Sequence, residues 1–332
     1  MIDMSKKRSP REAFGKALVE LGKENENIVV LDADLSCSTQ TQMFAKEFPE
    51  RFFNMGISEQ DMMTTAAGLA CTGKIPFVST FAMFATGRAW EQVRNTICYS
   101  KLNVKIAATH GGITVGEDGA SHQALEDISL MRSIPNMTVI VPADEKETQQ
   151  AIKFAASHQG PVYIRIARTN LPDVVDTSYN FNPYKAVIME EGTDVTLITN
   201  GETLVETIDC AKILHEKGIN AEIINVPVVK PIDKETIINS AKKTNRVITI
   251  ENHSIIGGLG SAVCEVLSEN HPVKVSRIGT NDEFGQSGTA KELMAHYGLN
   301  SEKLAEKILG LLKWYNLETY TKNIKTIMHF KI

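Results

Sequence analysis

The predicted strands of this chain are short runs made mostly of apolar and β-branched residues, and helical patterns separate them. Residues 28–31 (Ile-Val-Val-Leu), 138–141 and 162–166 are examples in the first half, and residues 195–198 and 247–250 are examples in the second. A strand buried on both faces has this composition, whereas a half-exposed strand alternates apolar and polar residues. Because strands and helices alternate along the chain, the sequence predicts an α/β architecture with a doubly wound parallel sheet.

The alternation of strands and helices is interrupted near residue 171 by a stretch rich in Pro, Asp, Asn, Ser and Tyr. Such a composition is typical of a linker, and a chain of 332 residues has room for about two domains. We therefore predict an α/β domain over residues 1–170, a linker over 171–190, a smaller α/β domain over 191–313 and a C-terminal tail over 314–332. No function is assigned to the tail.

The composition argues against several classes of protein. A net charge of −5 does not predict the basic surface of a nucleic-acid-binding protein. No apolar run approaches the length of a membrane span, and the polar first eight residues do not resemble a signal peptide. The five cysteines are scattered and form no C-x-x-C pair, which favours reduced thiols in the cytoplasm over a zinc site or a disulfide framework.

A carboxylate stands at the predicted start of a helix, directly after a short strand. Residues 54–63 read Asn-Met-Gly-Ile-Ser-Glu-Gln-Asp-Met-Met, in which Ser58 and Asp61 have the spacing of a capping box. Small residues at 66–70 let this helix pack closely, so we expect Glu59 to be rigid and shielded from water. Such a carboxylate suits proton transfer, although acidic residues are also favoured near helix N-termini in general.

The loop over residues 110–123 contains four glycines, two histidines and two acidic residues at the carboxyl end of a predicted strand. Glycines let the backbone approach a ligand closely. His110, His122 and Asp118 can hydrogen-bond hydroxyl groups and move protons near neutral pH. We predict that the loop binds a ligand, and not a metal ion, since the two histidines have no further ligand at a familiar spacing.

Aromatic and cationic side chains occupy other positions where a ligand can bind. Phe81 and Phe84 follow a predicted strand at the sheet edge used by ligands, where they can stack on a flat heterocycle or simply pack in the core. Arg11, Ser38 and Arg168 can meet on a phosphate, for which the planar guanidinium fork is suited. Taken singly, each of these three is better explained as a surface residue.

Together these motifs resemble the C-terminal half of transketolase, and most closely the separately encoded C-terminal subunits of split transketolases. The matching segments begin at residue 32 (Asp-Ala-Asp-Leu), residue 54 (Asn-Met-Gly-Ile-Ser-Glu), residue 79 (Ser-Thr-Phe-Ala-Met-Phe), residue 116 (Gly-Glu-Asp-Gly-Ala-Ser-His) and residue 165 (Arg-Ile-Ala-Arg). The resemblance implies a thiamine diphosphate pyrimidine-binding domain followed by a transketolase C-terminal domain. Glu-Asn-His and Gly-Gly-Leu-Gly, starting at residues 251 and 257, are typical of the latter. By themselves these glycines indicate tight packing between a strand and a helix.

The resemblance assigns cofactor contacts by matched position. Glu59 matches the catalytic glutamate that hydrogen-bonds the aminopyrimidine ring nitrogen and relays a proton to the cofactor. Phe84, with Phe81 beside it, matches the aromatic side chain that stacks on this ring. The sequence departs from many one-chain transketolases at Gly87, where they have a tyrosine, so acceptor preference does not carry over securely from those enzymes.

The resemblance also assigns substrate contacts. His110 and His122 match histidines that contact substrate hydroxyls and assist proton transfer, and Asp118 matches the aspartate that binds the hydroxyl next to the carbonyl. The sugar phosphate is bound in the family by groups that match three residues: Arg11, Ser38 and Arg168.

The family's diphosphate site is not found in this sequence. Thiamine diphosphate enzymes hold the diphosphate and its metal with a Gly-Asp-Gly segment and a later asparagine. The most similar segment in this sequence is Glu-Asp-Gly at residues 117–119. The resemblance therefore implies that this chain supplies no metal ligand. A separately encoded N-terminal subunit is expected to hold the diphosphate with Mg²⁺ or Ca²⁺, and two such pairs are expected to form a heterotetramer. The assembly is expected to transfer a two-carbon ketol unit from a ketose phosphate to an aldose phosphate.

Three alternatives share this architecture: a 1-deoxyxylulose 5-phosphate synthase-like chain, a 2-oxo acid dehydrogenase beta-like subunit and a non-catalytic paralogue. His110 and the Glu-Asp-Gly-x-Ser-His loop favour a polyhydroxylated sugar over pyruvate or an acyl group. The presence of the glutamate, the histidines and the arginines argues against a non-catalytic chain.

Overall fold

The computed structural model describes residues 6–175 and 179–313. In this part of the chain the strands are β1 (Lys7–Arg8), β2 (Ile28–Asp32), β3 (Phe52–Asn54), β4 (Ile75–Ser79), β5 (Lys105–Thr109), β6 (Thr138–Ile140), β7 (Val162–Ile166), β8 (Leu171–Pro172), β9 (Val187–Glu190), β10 (Val195–Thr199), β11 (Ala221–Asn225), β12 (Val228–Lys230), β13 (Val247–Ser254) and β14 (Val275–Thr280). The predicted tail, residues 314–332, lies outside the described residues.

The α-helices are α1 (Pro10–Glu24), α2 (Ser36–Thr39), α3 (Gln42–Glu47), α4 (Glu59–Cys71), α5 (Asp127–Ser133), α6 (Glu145–Ser157), α7 (Thr203–His215), α8 (Lys234–Thr244), α9 (Leu259–Asn270) and α10 (Ala290–His296). Residues 301–313 are also helical. Two segments, Phe84–Arg88 and Gln92–Tyr99, are π-helical, and two, Pro49–Arg51 and Ile113–Asp118, are 3₁₀-helical.

The larger sheet has seven strands in the order β12-β6-β7-β5-β4-β2-β3. All neighbouring pairs are parallel except β12 and β6, which are antiparallel. Every residue of β2, β5 and β7 is buried, including one charged residue in each strand, as expected for strands covered on both faces. The prediction of a doubly wound parallel α/β fold is confirmed.

The second half of the chain forms a five-stranded sheet in the order β14-β13-β10-β11-β9, in which β9 alone is antiparallel to its neighbour. One strand from this half, β12, crosses to the edge of the first sheet and pairs with β6. A three-residue strand between two prolines carries almost no periodic signal, and the sequence does not predict it. The backbone of β12 therefore ties the two halves together.

Ser9 with Glu12, and Asp144 with Glu147, have the same three-residue spacing as the predicted box at Ser58, and this spacing likewise predicts a capped helix start. Ser9 accepts a hydrogen bond from the Glu12 amide at 3.3 Å, and Asp144 accepts one from the Glu147 amide at 2.8 Å. The predicted capping box at Ser58 is wrong, because its side chain makes no cap hydrogen bond. At ψ 61° the residue lacks the extended conformation that places a capping oxygen over the first turn.

Among the described residues, no helix is both long enough and apolar enough to cross a bilayer. All five cysteines are free thiols.

Candidate active site

Glu59 is the first residue of α4, and its side chain is buried, with 1% of its surface exposed. The buried carboxylate is paired with one cation. Nη1 of Arg88 lies 3.0 Å from each of its two oxygens. The sequence does not predict this pair, since the two residues belong to different elements and Arg88 is about half exposed.

Phe84 and Arg88 occupy the two ends of one π-helical segment. Cζ of Arg88 lies 4.4 Å from the centroid of the Phe84 ring, so the guanidinium covers a face of that ring. One guanidinium thus contacts both the Glu59 carboxylate and the Phe84 ring. Short π-helical segments are frequent at functional sites.

Four rings form an aromatic cluster at the carboxyl edge of the larger sheet: Phe81, Phe84, His110 and His122. The centroids of Phe81 and Phe84 are 5.9 Å apart with nearly parallel planes, and Phe81 stacks on His110 at 3.9 Å. His122 meets the Phe84 ring at an edge, 5.3 Å away. Phe81 also bridges to Thr109, which extends the pairing of β4 and β5 and explains why it lies beside His110.

His110 is held as a neutral imidazole. Its Nδ1 lies 2.8 Å from the Thr109 hydroxyl, and its backbone has φ of +61°. Burial first, and then the electrostatic effects of Arg11, Arg168 and His122, lower the pKa of His110 to about 3. A neutral ring can both donate and accept a hydrogen bond at neutral pH, which suits contact with a hydroxyl.

The lowered pKa of His110 predicts a pH dependence of stability. Between about pH 3 and the ordinary value of 6.5, the unfolded chain binds a proton at this residue and the folded chain does not. The free energy of unfolding should therefore fall as the pH drops through that window, by up to about 1.4 kcal/mol per pH unit from this residue. Urea titrations of the wild type and His110→Gln at several pH values measure the effect. The substitution should flatten the profile, and parallel profiles would contradict the assignment.

The charges of two arginines, Arg11 and Arg168, act on His110 and lower its pKa. Arg11, in the first turn of α1, donates to the backbone carbonyl of Ser38 at 2.9 Å. Its Nε is buried and has no hydrogen-bond partner among the described residues. Burial first, and then the charge of Arg168, lowers the pKa of Arg11. An unsatisfied buried donor beside a second cation is suited to an anion.

Arg168 follows β7 and is paired at 3.2 Å with Glu117. Glu117 belongs to the loop over residues 110–123, which we call the histidine loop. Glu117 is exposed, and its own backbone hydrogen bond, followed by the contact with Arg168, lowers its pKa. Asp118, the next residue, is exposed too. Within the described ranges its carboxylate makes no hydrogen bond to the other predicted site residues. Ring contacts link Phe81, Phe84, His110 and His122, and a hydrogen bond links Arg11 with Ser38, whereas no contact of either kind joins Asp118 to them.

The first two glycines of the histidine loop are packed against buried polar groups. A Cβ at Gly111 would overlap the Arg165 side chain, and one at Gly112 would overlap the Asn252 amide. Asn252 Oδ1 accepts a hydrogen bond from the Ile113 amide at 3.0 Å, and Arg165 donates to the Asn252 carbonyl at 2.9 Å. The second half of the chain thus fixes the position of the loop. The Glu-Asn-His motif at residues 251–253 is visible in the sequence, but nothing in the sequence indicates that its asparagine contacts this loop.

The Gly-Gly-Leu-Gly segment packs as the sequence indicates. The Glu251 carboxylate accepts hydrogen bonds from the amides of Leu259 and Gly260 at 2.7 and 2.8 Å. A Cβ at Gly258 would overlap this carboxylate. The glycines therefore serve the close approach of β13 and the start of α9.

A cavity of about 550 Å³ lies beside the histidine loop. It is lined by residues at and just before the π-helical segment, in the loop over residues 110–123, in α5 and in the second half of the chain, including Met83, Thr86, Gly87, Gln123, Leu130 and Phe284. Gly87 is exposed at its wall. In the part of the chain that the structure describes, no three His, Cys, Asp or Glu side chains are grouped so that they can hold a metal ion.

Comparison with known families assigns both halves of the chain. Residues 6–174 match the transketolase pyrimidine-binding domain, and residues 184–304 match the transketolase C-terminal domain. The chain belongs to the transketolase family. Transferase chemistry is therefore the activity found among its relatives.

Individual transketolase relatives match most of the chain. It is 54% identical over 306 residues to a protein of Methanocaldococcus jannaschii described as a transketolase C-terminal section, covering 91% of this chain and 96% of the relative. It is 40% identical over 294 residues to the 6-deoxy-6-sulfo-D-fructose transketolase subunit of a Clostridium species, covering 89% and 91%. A solved split-gene transketolase, described as an inactive β4 tetramer, superposes with a TM-score of 0.85 at 53% identity, covering 92% of this chain and 98% of its own.

Proposed function

We propose that this chain is the C-terminal subunit of a split transketolase. With an N-terminal partner it transfers a two-carbon ketol unit from a ketose phosphate to an aldose phosphate. The observation that carries the proposal is the aromatic cluster, which joins the buried Glu59 side of the site to the histidines and arginines. A cofactor ring and a phosphorylated sugar need these two kinds of surface next to each other.

The residues on the Glu59 side fit the aminopyrimidine of thiamine diphosphate. A buried carboxylate can hydrogen-bond a ring nitrogen, and Phe84 offers a ring face for stacking. When bound, thiamine diphosphate supplies the carbon nucleophile for the ketose carbonyl. Glu59 would hold and return a proton at its carboxylate, and its burial would keep water from competing for that proton.

The residues on the histidine side fit a phosphorylated sugar. The neutral His110 and the neighbouring His122 would exchange hydrogen bonds with hydroxyl groups. Arg11 and Arg168 would bind the phosphate, with Ser38 beside them. Asp118 would bind the substrate hydroxyl next to the carbonyl. Because its side chain is exposed in the structure, it would need to turn inward when substrate binds.

The partner is proposed from what the sequence lacks and from what its relatives are. The chain has no Gly-Asp-Gly segment, and the relatives above are described as a section, a subunit and a split-gene protein. We infer that a cytoplasmic N-terminal chain binds the diphosphate with Mg²⁺ or Ca²⁺. Two such pairs would form a heterotetramer.

Co-expression with the N-terminal chain tests the proposal. Light scattering after size exclusion should give the mass of two chains of each kind, and the complex should consume xylulose 5-phosphate in the presence of an aldose phosphate. The 332-residue chain alone should be at least about 100-fold less active, since it lacks the diphosphate site. Exclusive turnover of pyruvate would favour the synthase or dehydrogenase alternative, and a stable, active one-to-one species would refute the heterotetramer.

A further inference from the structure

Arg88 occupies both surfaces that the proposed function gives to the aminopyrimidine ring. Its Nη1 takes both oxygens of Glu59 at 3.0 Å, and its Cζ lies 4.4 Å from the centroid of Phe84. A guanidinium is planar and presents N–H donors in its plane, which are the properties that a flat heterocycle uses against a carboxylate and an aromatic face. A ring cannot use this carboxylate and this face while the guanidinium does.

Burial explains why Glu59 needs such a partner. An ionised carboxylate that is 1% exposed and has no partner carries a large desolvation cost. Arg88, by contrast, keeps 47% of its side-chain surface exposed. The arginine can therefore turn out into water at little cost, whereas the glutamate cannot.

The main chain and the side chain of Arg88 make separate contacts with α4. The side-chain Nε2 of Gln60, in the first turn of α4, donates to the Arg88 carbonyl at 3.2 Å. Glu59, Gln60 and Arg88 thus connect α4 to the π-helical segment through a main-chain contact and an ion pair. For the Arg88 side chain to leave, the ion pair with Glu59 and the contact with the Phe84 ring must break, while the hydrogen bond to its carbonyl can stay.

We propose that Arg88 is a positioning residue that stands in for the cofactor ring. It holds the Glu59 carboxylate and covers Phe84 in the chain without cofactor, and it gives way when the ring binds. The inference rests on the proposed function. It makes Arg88 a competitor of the aminopyrimidine.

Cofactor binding to the co-expressed complex tests the competition. Arg88→Met removes the cation and keeps an unbranched side chain. Isothermal calorimetry with thiamine diphosphate and Mg²⁺ should show an affinity about fivefold higher than that of the wild type, the size expected for losing a half-exposed ion pair. Arg94→Met, which removes an exposed arginine paired with the adjacent Asn95 in the next π-helical segment, should bind as the wild type does.

A second measurement needs no cofactor. The urea midpoint of the full 332-residue chain is measured for Arg88→Met, Glu59→Gln and the double variant. If the two side chains are paired in solution, the shift caused by the double variant should be smaller than the sum of the two single shifts. Additive shifts would overturn the proposal.

The two experiments separate this proposal from the proposed function. A wild-type complex that fails to bind thiamine diphosphate would overturn the function and the inference with it. A wild-type complex that binds, beside an Arg88→Met complex that binds no more tightly, would overturn the role of Arg88 and leave the function standing.

Discussion

Glu59→Gln should lower the turnover of xylulose 5-phosphate by the co-expressed complex by about 100- to 10,000-fold, the range for loss of a positioned acid–base group. Glutamine has nearly the same shape as glutamate, and in the chain without cofactor its remaining oxygen can still accept a hydrogen bond from Arg88. The amide cannot take up and return a proton as the carboxylate can. The loss should therefore fall on kcat, with the complex assembled as before. Steady-state kinetics and light scattering measure the two effects.

Asp61→Asn is the matched control for this substitution. Asp61 lies in the same first turn of α4, carries the same charge and is exposed. It should leave kcat within about twofold of the wild type, because a substitution of an exposed side chain away from the site has a small effect. Glu59→Ala should also lose activity, but it leaves a buried void and an unpaired Arg88, so the Gln variant gives the cleaner test. A Glu59→Gln complex with near-normal turnover would remove Glu59 from the proposed chemistry.

Much of the fold follows from local sequence signals. The run at β2 is buried at every position, and the caps at Ser9 and Asp144 form as their spacing predicts. The burial of Glu59 follows in the same way from the small and apolar residues after it on α4. These features depend on residues a few positions apart, where periodicity and capping are informative.

The features that the sequence did not predict depend on contacts between distant residues. Glu59 and Arg88 are 29 positions apart, and Ile113 and Asn252 are 139 apart. The failed cap at Ser58 is a local exception, since the Ser58 amide donates to the Gly56 carbonyl at 2.8 Å and the residue has ψ of 61° in this turn. No local pattern specifies which distant side chain fills a buried position.

The second large effect is expected on KM when Arg168 is replaced. Arg168→Ala should raise KM for a phosphorylated ketose by about tenfold and change KM for its unphosphorylated counterpart far less, because a charged hydrogen bond to phosphate is lost. The value of kcat should change little if the arginine holds the phosphate equally in the ground and transition states. Steady-state kinetics with a phosphorylated and an unphosphorylated ketose measure the difference, and equal effects on both substrates would rule out phosphate binding by this residue.

Glu117→Gln should change KM for the phosphorylated ketose in the opposite direction from Arg168→Ala. Glu117 is exposed and pairs with Arg168 at 3.2 Å, so a phosphate must displace it to reach the guanidinium. Removing the competing charge should lower KM for the phosphorylated ketose by about two- to threefold, the size of an exposed ion pair. Added salt should shrink this gain because it screens exposed charges. If Glu117→Gln raised KM instead, Glu117 would be orienting Arg168 for the phosphate and not competing with it.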